Sequence, residues 1–366
     1  MTASSSCALQ QRQRSLFPWV LVLAAYLGGC TNIGPTTIPR DRFDYNSAIS
    51  DSWKEQTLLN VVRLRYSDMP LFVEVASVVS GYSLESSVSL GLAEQDVAGS
   101  VNNLGAASGT GTYTDRPTIT YAPITGSDFT ASFMSPIPPD VILFLVQTGW
   151  PADTILNLTL DSINGLKSRK FSVYEGRAGD PGFYELVNII REIQRAGAVG
   201  LQVREDDDDN RETLLIIHRS AIDPAREEIT ARLRDLLGLS LDDVEISVEY
   251  GYFPTQQGEL AMITRSMLDV LFQLAFDVSV PRQHVDEGRT LLSLHVNDRH
   301  ESPMSIHYSE SAPADAFVSV KYGDYWYYID DRDFDSKRIF TVVMLLMSLM
   351  ESGDKTGLPL VTIPAS

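Results

Sequence analysis

The 366-residue chain carries 29 lysines and arginines against 48 aspartates and glutamates, a formal charge of −19, with 44% hydrophobic residues and two cysteines. Such a length holds two domains with real cores. The acid excess repels nucleic-acid phosphates and anionic lipid head groups, so nucleic acid is excluded from the expected partners. Cys7 and Cys30 are the only thiols, which leaves the body of the chain without a disulfide framework.

In chain order, Arg12 and Arg14 precede an apolar run from Leu16 to Leu27, followed by Gly28, Gly29 and Cys30. A positive flank, a short apolar core and small residues at a cleavage point are the parts of a secretory signal. The run is shorter than the roughly 20 apolar residues of a membrane-spanning helix. Leu27-Gly28-Gly29-Cys30 is a lipobox, and residues 1–31 resemble the signal peptides of bacterial lipoproteins. That resemblance implies cleavage after Gly29, a diacylglycerol on the Cys30 thiol and a fatty acid on the new amino terminus, with no further cofactor. Thr31, where retained lipoproteins carry Asp, implies an outer-membrane location facing the periplasm. Cleavage removes two bases and no acids, which brings the net charge to −21. Two or more acyl chains anchor stably where one does not, so the expected membrane contact is lipid.

Residues 30–42, with Pro35 and Pro39, read as the lipidated cysteine and a polar tether. Ile49, Trp53, Leu58, Leu59, Val62 and Tyr66 follow helical spacing over 46–66, and Asp68-Met69-Pro70 stops the pattern. From Gly81 to Leu92 the period changes to two. Tyr82, Leu84, Val88, Leu90 and Leu92 share one face, broken by Ser86, against Gly81, Ser83, Glu85, Ser87, Ser89 and Gly91 on the other. Residues 93–112 are small and polar, and Thr118–Tyr121 returns as a strand, so 71–122 is expected to form a long hairpin or meander.

Beyond Pro123 we expect helices at 126–134 and 139–148 and a strand at 154–160. A boundary is expected at the glycine cluster 165–182. The second half is expected to hold a helix from Phe183 to Ile193, strands at 199–204 and 213–218 joined by an acidic turn, and a helix after Asp223-Pro224. A strand at 245–252, an apolar helix at 259–276, strands at 304–308 and 316–329 and a closing helix at 333–351 complete it. Strands and helices interleave without a βαβ repeat, so the expected class is α+β. The expected division is a signal peptide over 1–29, the lipidated tether over 30–42 and two α+β domains over 43–165 and 180–366.

Chemistry-bearing motifs are sparse. Glu205-Asp206-Asp207-Asp208-Asp209-Asn210 lacks the spacing and glycine of an EF-hand and reads as a solvated hairpin tip. His295, His300 and His307, with Asp298 and Glu301, lack the helical pair of a zinc motif, so no metal site is assigned. No GxSxG elbow or phosphate loop occurs, and no catalytic residue is named. Tyr322, Tyr325, Trp326, Tyr327 and Tyr328 are a candidate partner surface, because alternation leaves one of their two faces outside the core.

These residues lead to a lipid-anchored, non-enzymatic envelope component with an envelope protein as partner, and the mature part resembles uncharacterised bacterial lipoproteins. Two alternatives stand beside it: an oligomeric outer-membrane pore using the 71–122 hairpin, with Tyr82, Leu84, Val88, Leu90 and Leu92 as its membrane strand, and a periplasmic hydrolase.

Overall fold

The computed structural model describes residues 33–79, 82–97, 100–115, 118–171, 176–197, 199–205, 211–217, 227–238, 245–256, 258–291 and 304–350. Gly29, Cys30, the run 206–210, His295, Asp298, His300 and Glu301 lie outside them. Two compact units result, Met1–Trp53 and Lys54–Ser366. In the first, the described residues form the leading part of helix α1, Ile33–Arg65. The expected tether is therefore helical from Ile33 onward. Pro35 falls in the first turn, where a missing N–H costs no intrahelical bond.

The second unit is α+β. The end of α1 buries Leu58, Val61 and Val62 completely, the i, i+3, i+4 stripe of a core-facing helix. Ser67 at φ 57° ends it, with the Asp68 N–H donating to the Arg63 carbonyl. Strands β1 (Val73–Val79), β2 (Tyr82–Val97), β3 (Ser100–Asp115) and β4 (Thr118–Pro123) form an arm: β1 pairs with β4 and β2 with β3, both antiparallel. Helix α2 (Gly126–Phe129) passes into one π turn, Thr130–Met134, and α3 (Pro139–Gln147) follows Pro138.

A six-stranded mixed sheet comes next. It uses β5 (Leu160–Ile163), β6 (Leu166–Lys167), β9 (Val199–Glu205), β10 (Arg211–Ile217), β11 (Glu245–Tyr250) and β12 (Glu259–Thr264), in the order β6-β5-β12-β11-β10-β9. The pair β7 (Lys170–Phe171) and β8 (Gly176–Arg177) follows β6 in sequence. Helices α4 (Ala152–Thr159), α5 (Pro181–Arg195), α6 (Glu227–Leu237) and α7 (Met267–Ala275) accompany the sheet. Because β5 pairs with β12, the sheet is built from strands on both sides of the glycine cluster at 165–182. The two expected domains are thus one unit from Lys54 on.

Two short apolar runs take the other period from the one expected. Residues 152–159 are helical, not a strand: Gln194 accepts the Ala152 N–H at 3.0 Å and donates to the carbonyls of Val146 and Trp150, both at 2.6 Å. A tertiary side chain supplies the cap that the local sequence lacks. Residues 259–264 are strand, and the helix starts only at Met267, where Ser266 and Asp269 form a reciprocal capping box. Between them Arg265 is 3% exposed. Its guanidinium donates to the carbonyls of Asn157 (2.9 Å), Leu158 (3.0 Å) and Arg169 (2.5 Å) and to Ser168 Oγ (3.1 Å).

Helix α8 (Arg282–Asp286) leads to a three-stranded sheet of β13 (His307–Ser309), β14 (Ala316–Tyr322) and β15 (Tyr325–Asp330), ordered β13-β15-β14 and turning at Gly323, φ 59°. Helix α9 (Phe334–Met350) buries Phe340, Val342, Val343 and Leu346. Asp333 caps it, accepting from the Ser336 N–H at 3.0 Å and Oγ at 2.6 Å. Burial acts to raise this carboxyl, but the Ser336 bonds and His307 outweigh it and hold its pKa below the ordinary 3.8. A depressed folded pKa stabilises above the unfolded value and is lost as pH falls through the folded one. Asp333→Ala is expected to cost about 1 kcal/mol at neutral pH. In paired thermal melts, the gap to the parent should close on acidification below pH 3.8.

Candidate functional site

The arm is fixed at its root by side-chain amides. Gln56 and Asn60, one turn apart on α1, present their amides to the chain entering β1. Asn60 donates to the Leu71 carbonyl at 2.8 Å and accepts its N–H at 2.9 Å, and Gln56 does the same for Val73 at 2.9 and 2.5 Å. Two amides thus replace a neighbouring strand. Between them Phe72 is buried and stacks on Phe133 with centroids 4.0 Å apart, and its carbonyl accepts the Ile124 N–H at 2.9 Å from the returning strand.

Above the root the arm is a two-stranded ribbon. The β2–β3 ladder has sixteen pairs, from Tyr82↔Asp115 to Val97↔Ser100, and shares one register with the pairs from Ser77↔Thr120 to Val79↔Thr118. At about 3.4 Å per residue, β2 extends about 50 Å. Among the described residues neither β2 nor β3 has a second neighbouring strand. An isolated hairpin is marginal in water and its free edges invite further strands. Proteins blunt such edges with lysine, proline or charge. Here β3 has no charge from Ser100 to Thr114, β2 has none from Ser86 to Ala93, and neither strand has a proline.

Register sorts the ladder into two rows. One holds Leu84/Tyr113, Ser86/Gly111, Val88/Gly109, Leu90/Ala107 and Leu92/Gly105. The other holds Ser83/Thr114, Glu85/Thr112, Ser87/Thr110 and Ser89/Ser108. In the second row Glu85, Ser87, Thr110 and Thr112 are exposed, and the hydroxyls of Ser87 and Thr110 lie 2.7 Å apart. A Cβ added at Gly109 or Gly111 would meet nothing within 4 Å, so packing inside the chain does not require glycine there. Lower on the arm β4 is exposed throughout, with Tyr121 and Ile119 among its residues.

A second cluster joins α1, α8 and the three-stranded sheet. Tyr66 Oη lies 2.7 Å from His284 Nδ1 and 2.6 Å from Tyr327 Oη. Tyr322 packs against the Tyr66 ring at 5.2 Å and donates to Asp68 at 3.4 Å, and Tyr325 meets His284 edge-on at 5.2 Å. Burial raises the pKa of all three phenols, Tyr66, Tyr322 and Tyr327, so they stay protonated hydrogen-bonding groups. Beside Tyr66 is a cavity of about 280 Å³ lined partly by Phe272, Phe276 and Thr290. Arg65 reaches its wall with the guanidinium donating to the Leu291 carbonyl at 2.7 Å. Tyr66→Phe is expected to cost about 1–3 kcal/mol, because it strands the buried Tyr327 hydroxyl and His284 Nδ1 together. Tyr327→Phe leaves the Tyr66–His284 bond and should cost less when the two variants are compared by urea titration.

The sequence-derived aromatic surface divides across this sheet. Tyr327 is fully buried, while Tyr322, Tyr325, Trp326 and Tyr328 are half-buried. His307, exposed on β13, pairs with Tyr328 across the ladder at 5.6 Å between rings. Tyr66 and His284 carry no local motif, and sequence reading missed them. They meet across 218 positions. Among the described residues, no group of three His, Cys, Asp or Glu is placed to hold a metal. No helix among them is long and apolar enough to cross a membrane. Tyr82, Leu84, Val88, Leu90 and Leu92 all fall on β2 in the first row. No family model, curated protein or solved structure matches the chain, so its own residues carry the functional argument.

Proposed function

We propose that this chain is a lipid-anchored envelope protein that assembles with copies of itself through the arm, the β2–β3 hairpins closing side by side into a membrane β-barrel. The observation that carries the reading is the nine-pair stretch from Leu84/Tyr113 to Leu92/Gly105, apolar or small in one row and hydroxyl-rich in the other, with both outer edges unpaired among the described residues. A strand crosses a bilayer in about 9–11 residues with alternating rows, and only a closed barrel satisfies its edges in lipid. Tethering by acylated Cys30 would place every copy at the membrane it has to enter. The low charge of the strands removes the main cost of that entry.

Addition of the arm to a partner's sheet would use the same edges. The rows favour the barrel, because pairing with a soluble sheet has no need of an uncharged apolar row matched to bilayer thickness. Full-length acylated protein added to planar bilayers is expected to give discrete conductance steps; a flat baseline at all concentrations would overturn the barrel. Cys30→Ser is expected to lose incorporation of labelled fatty acid, and retained label would overturn the anchor.

A further inference from the structure

Glu85 stands apart from every other carboxylate of the ladder. Glu94 and Asp96 lie on β2 and Asp115 on β3, and register puts all three in the row of Leu84, Val88 and Leu90, beyond the ends of its apolar stretch. Glu85 alone falls in the hydroxyl row, opposite Thr112, with Ser83/Thr114 on one side and Ser87/Thr110 on the other. It is exposed, and no lysine, arginine or histidine occurs between Arg65 and Arg116 to neutralise it.

We propose that Glu85 is the selectivity-determining residue of the barrel: one carboxylate per copy forms a ring at the root-side mouth and admits small hydrated cations over anions. The inference rests on the barrel reading, in which the hydroxyl row faces the water-filled interior. A ring of carboxylates in a low-dielectric wall focuses negative potential on the pore axis, concentrating cations and repelling anions. The remaining hydroxyl-row side chains from Ser83 to Ser89 and from Ser108 to Thr114 supply neutral hydrogen-bonding groups, so the sign of selectivity is set at this one rung. Glu85 is twelve positions from Val97, about 40 Å down the ribbon, on the side of the folded body.

The test is the reversal potential of full-length acylated protein in planar bilayers under a KCl gradient. The parent is expected to reverse near the potassium equilibrium potential, Glu85→Gln to shift most of the way to zero with conductance steps retained, and Glu85→Lys to change sign. Glu94→Gln, in the other row, should leave the value unchanged. Steps in the parent with unchanged selectivity in Glu85→Gln would overturn the role of Glu85 and leave the barrel standing. Absence of steps in the parent would overturn the barrel and this inference with it.

Discussion

Leu90→Arg is expected to abolish conductance while leaving the thermal melt of the folded body unchanged. Leu90 lies two rungs beyond Val88, the midpoint of the nine-pair stretch, opposite Ala107 and in the same row as Val88 and Leu92. An arginine facing lipid near the bilayer midplane costs about 2–4 kcal/mol, and in a ring the cost recurs in every copy. The arm's folded support lies at the other end, at Gln56, Asn60 and Phe72, and is untouched by the change. Ser89→Arg, one residue away in the hydroxyl row, faces water in a barrel and should retain channels of reduced conductance. Equal loss from both variants would contradict the assignment of rows.

The largest effect on stability is expected at Arg265. Burial lowers its guanidinium pKa to about 10, so it is charged at neutral pH, and four acceptors from two segments, 157–158 and 168–169, converge on it. Asp161, the buried counter-charge nearby, is also approached by Arg177 at 3.5 Å and Lys170 at 3.7 Å. Arg265→Met deletes the cation and leaves three carbonyls and one hydroxyl without it. Breaking a buried charge network from one side costs about 3–5 kcal/mol, which for a unit of this size corresponds to a fall in Tm of roughly 5–8 °C. Arg265→Lys keeps the charge but not the fork, and should recover only part of the loss. An unchanged melt for Arg265→Met would show that the acceptors find other donors.

Which features can be read from the residues follows from where their determinants lie. Strand β2 of the arm is legible because Leu84, Val88, Leu90 and Leu92 fall on alternate positions, with Glu85, Ser87, Ser89 and Gly91 between them. Its partner is not, since Gly105, Ala107, Gly109 and Gly111 are poor strand formers taken alone. They become intelligible only in register, where each sits opposite a residue of that alternating row. Helix α4 and strand β12 are apolar runs too short for their period to be decisive. One is settled by Gln194 from α5, the other by a capping box two residues downstream. In the glycine cluster at 165–182, Gly165 makes the β5–β6 turn at φ 81°, Gly176 lies on β8 and Gly182 in the first turn of α5, and the pairing of β5 with β12 spans the cluster. The α+β class itself is plain from the mixture of periods. The Tyr66–His284–Tyr327 contact depends on three distant elements converging, which no local pattern encodes.

Both native cysteines precede the described residues, and on the proposed lipidation the Cys30 thiol would be blocked and Cys7 removed, so introduced thiols would report without background. Single cysteines placed at successive positions from Ser83 to Leu92, in acylated protein embedded in vesicles, can be reacted with a membrane-impermeant maleimide. The barrel requires labelling to alternate, strong at 83, 85, 87 and 89 and weak at 84, 88, 90 and 92. Labelling of all positions alike would mean that the arm stands in water and would contradict the account.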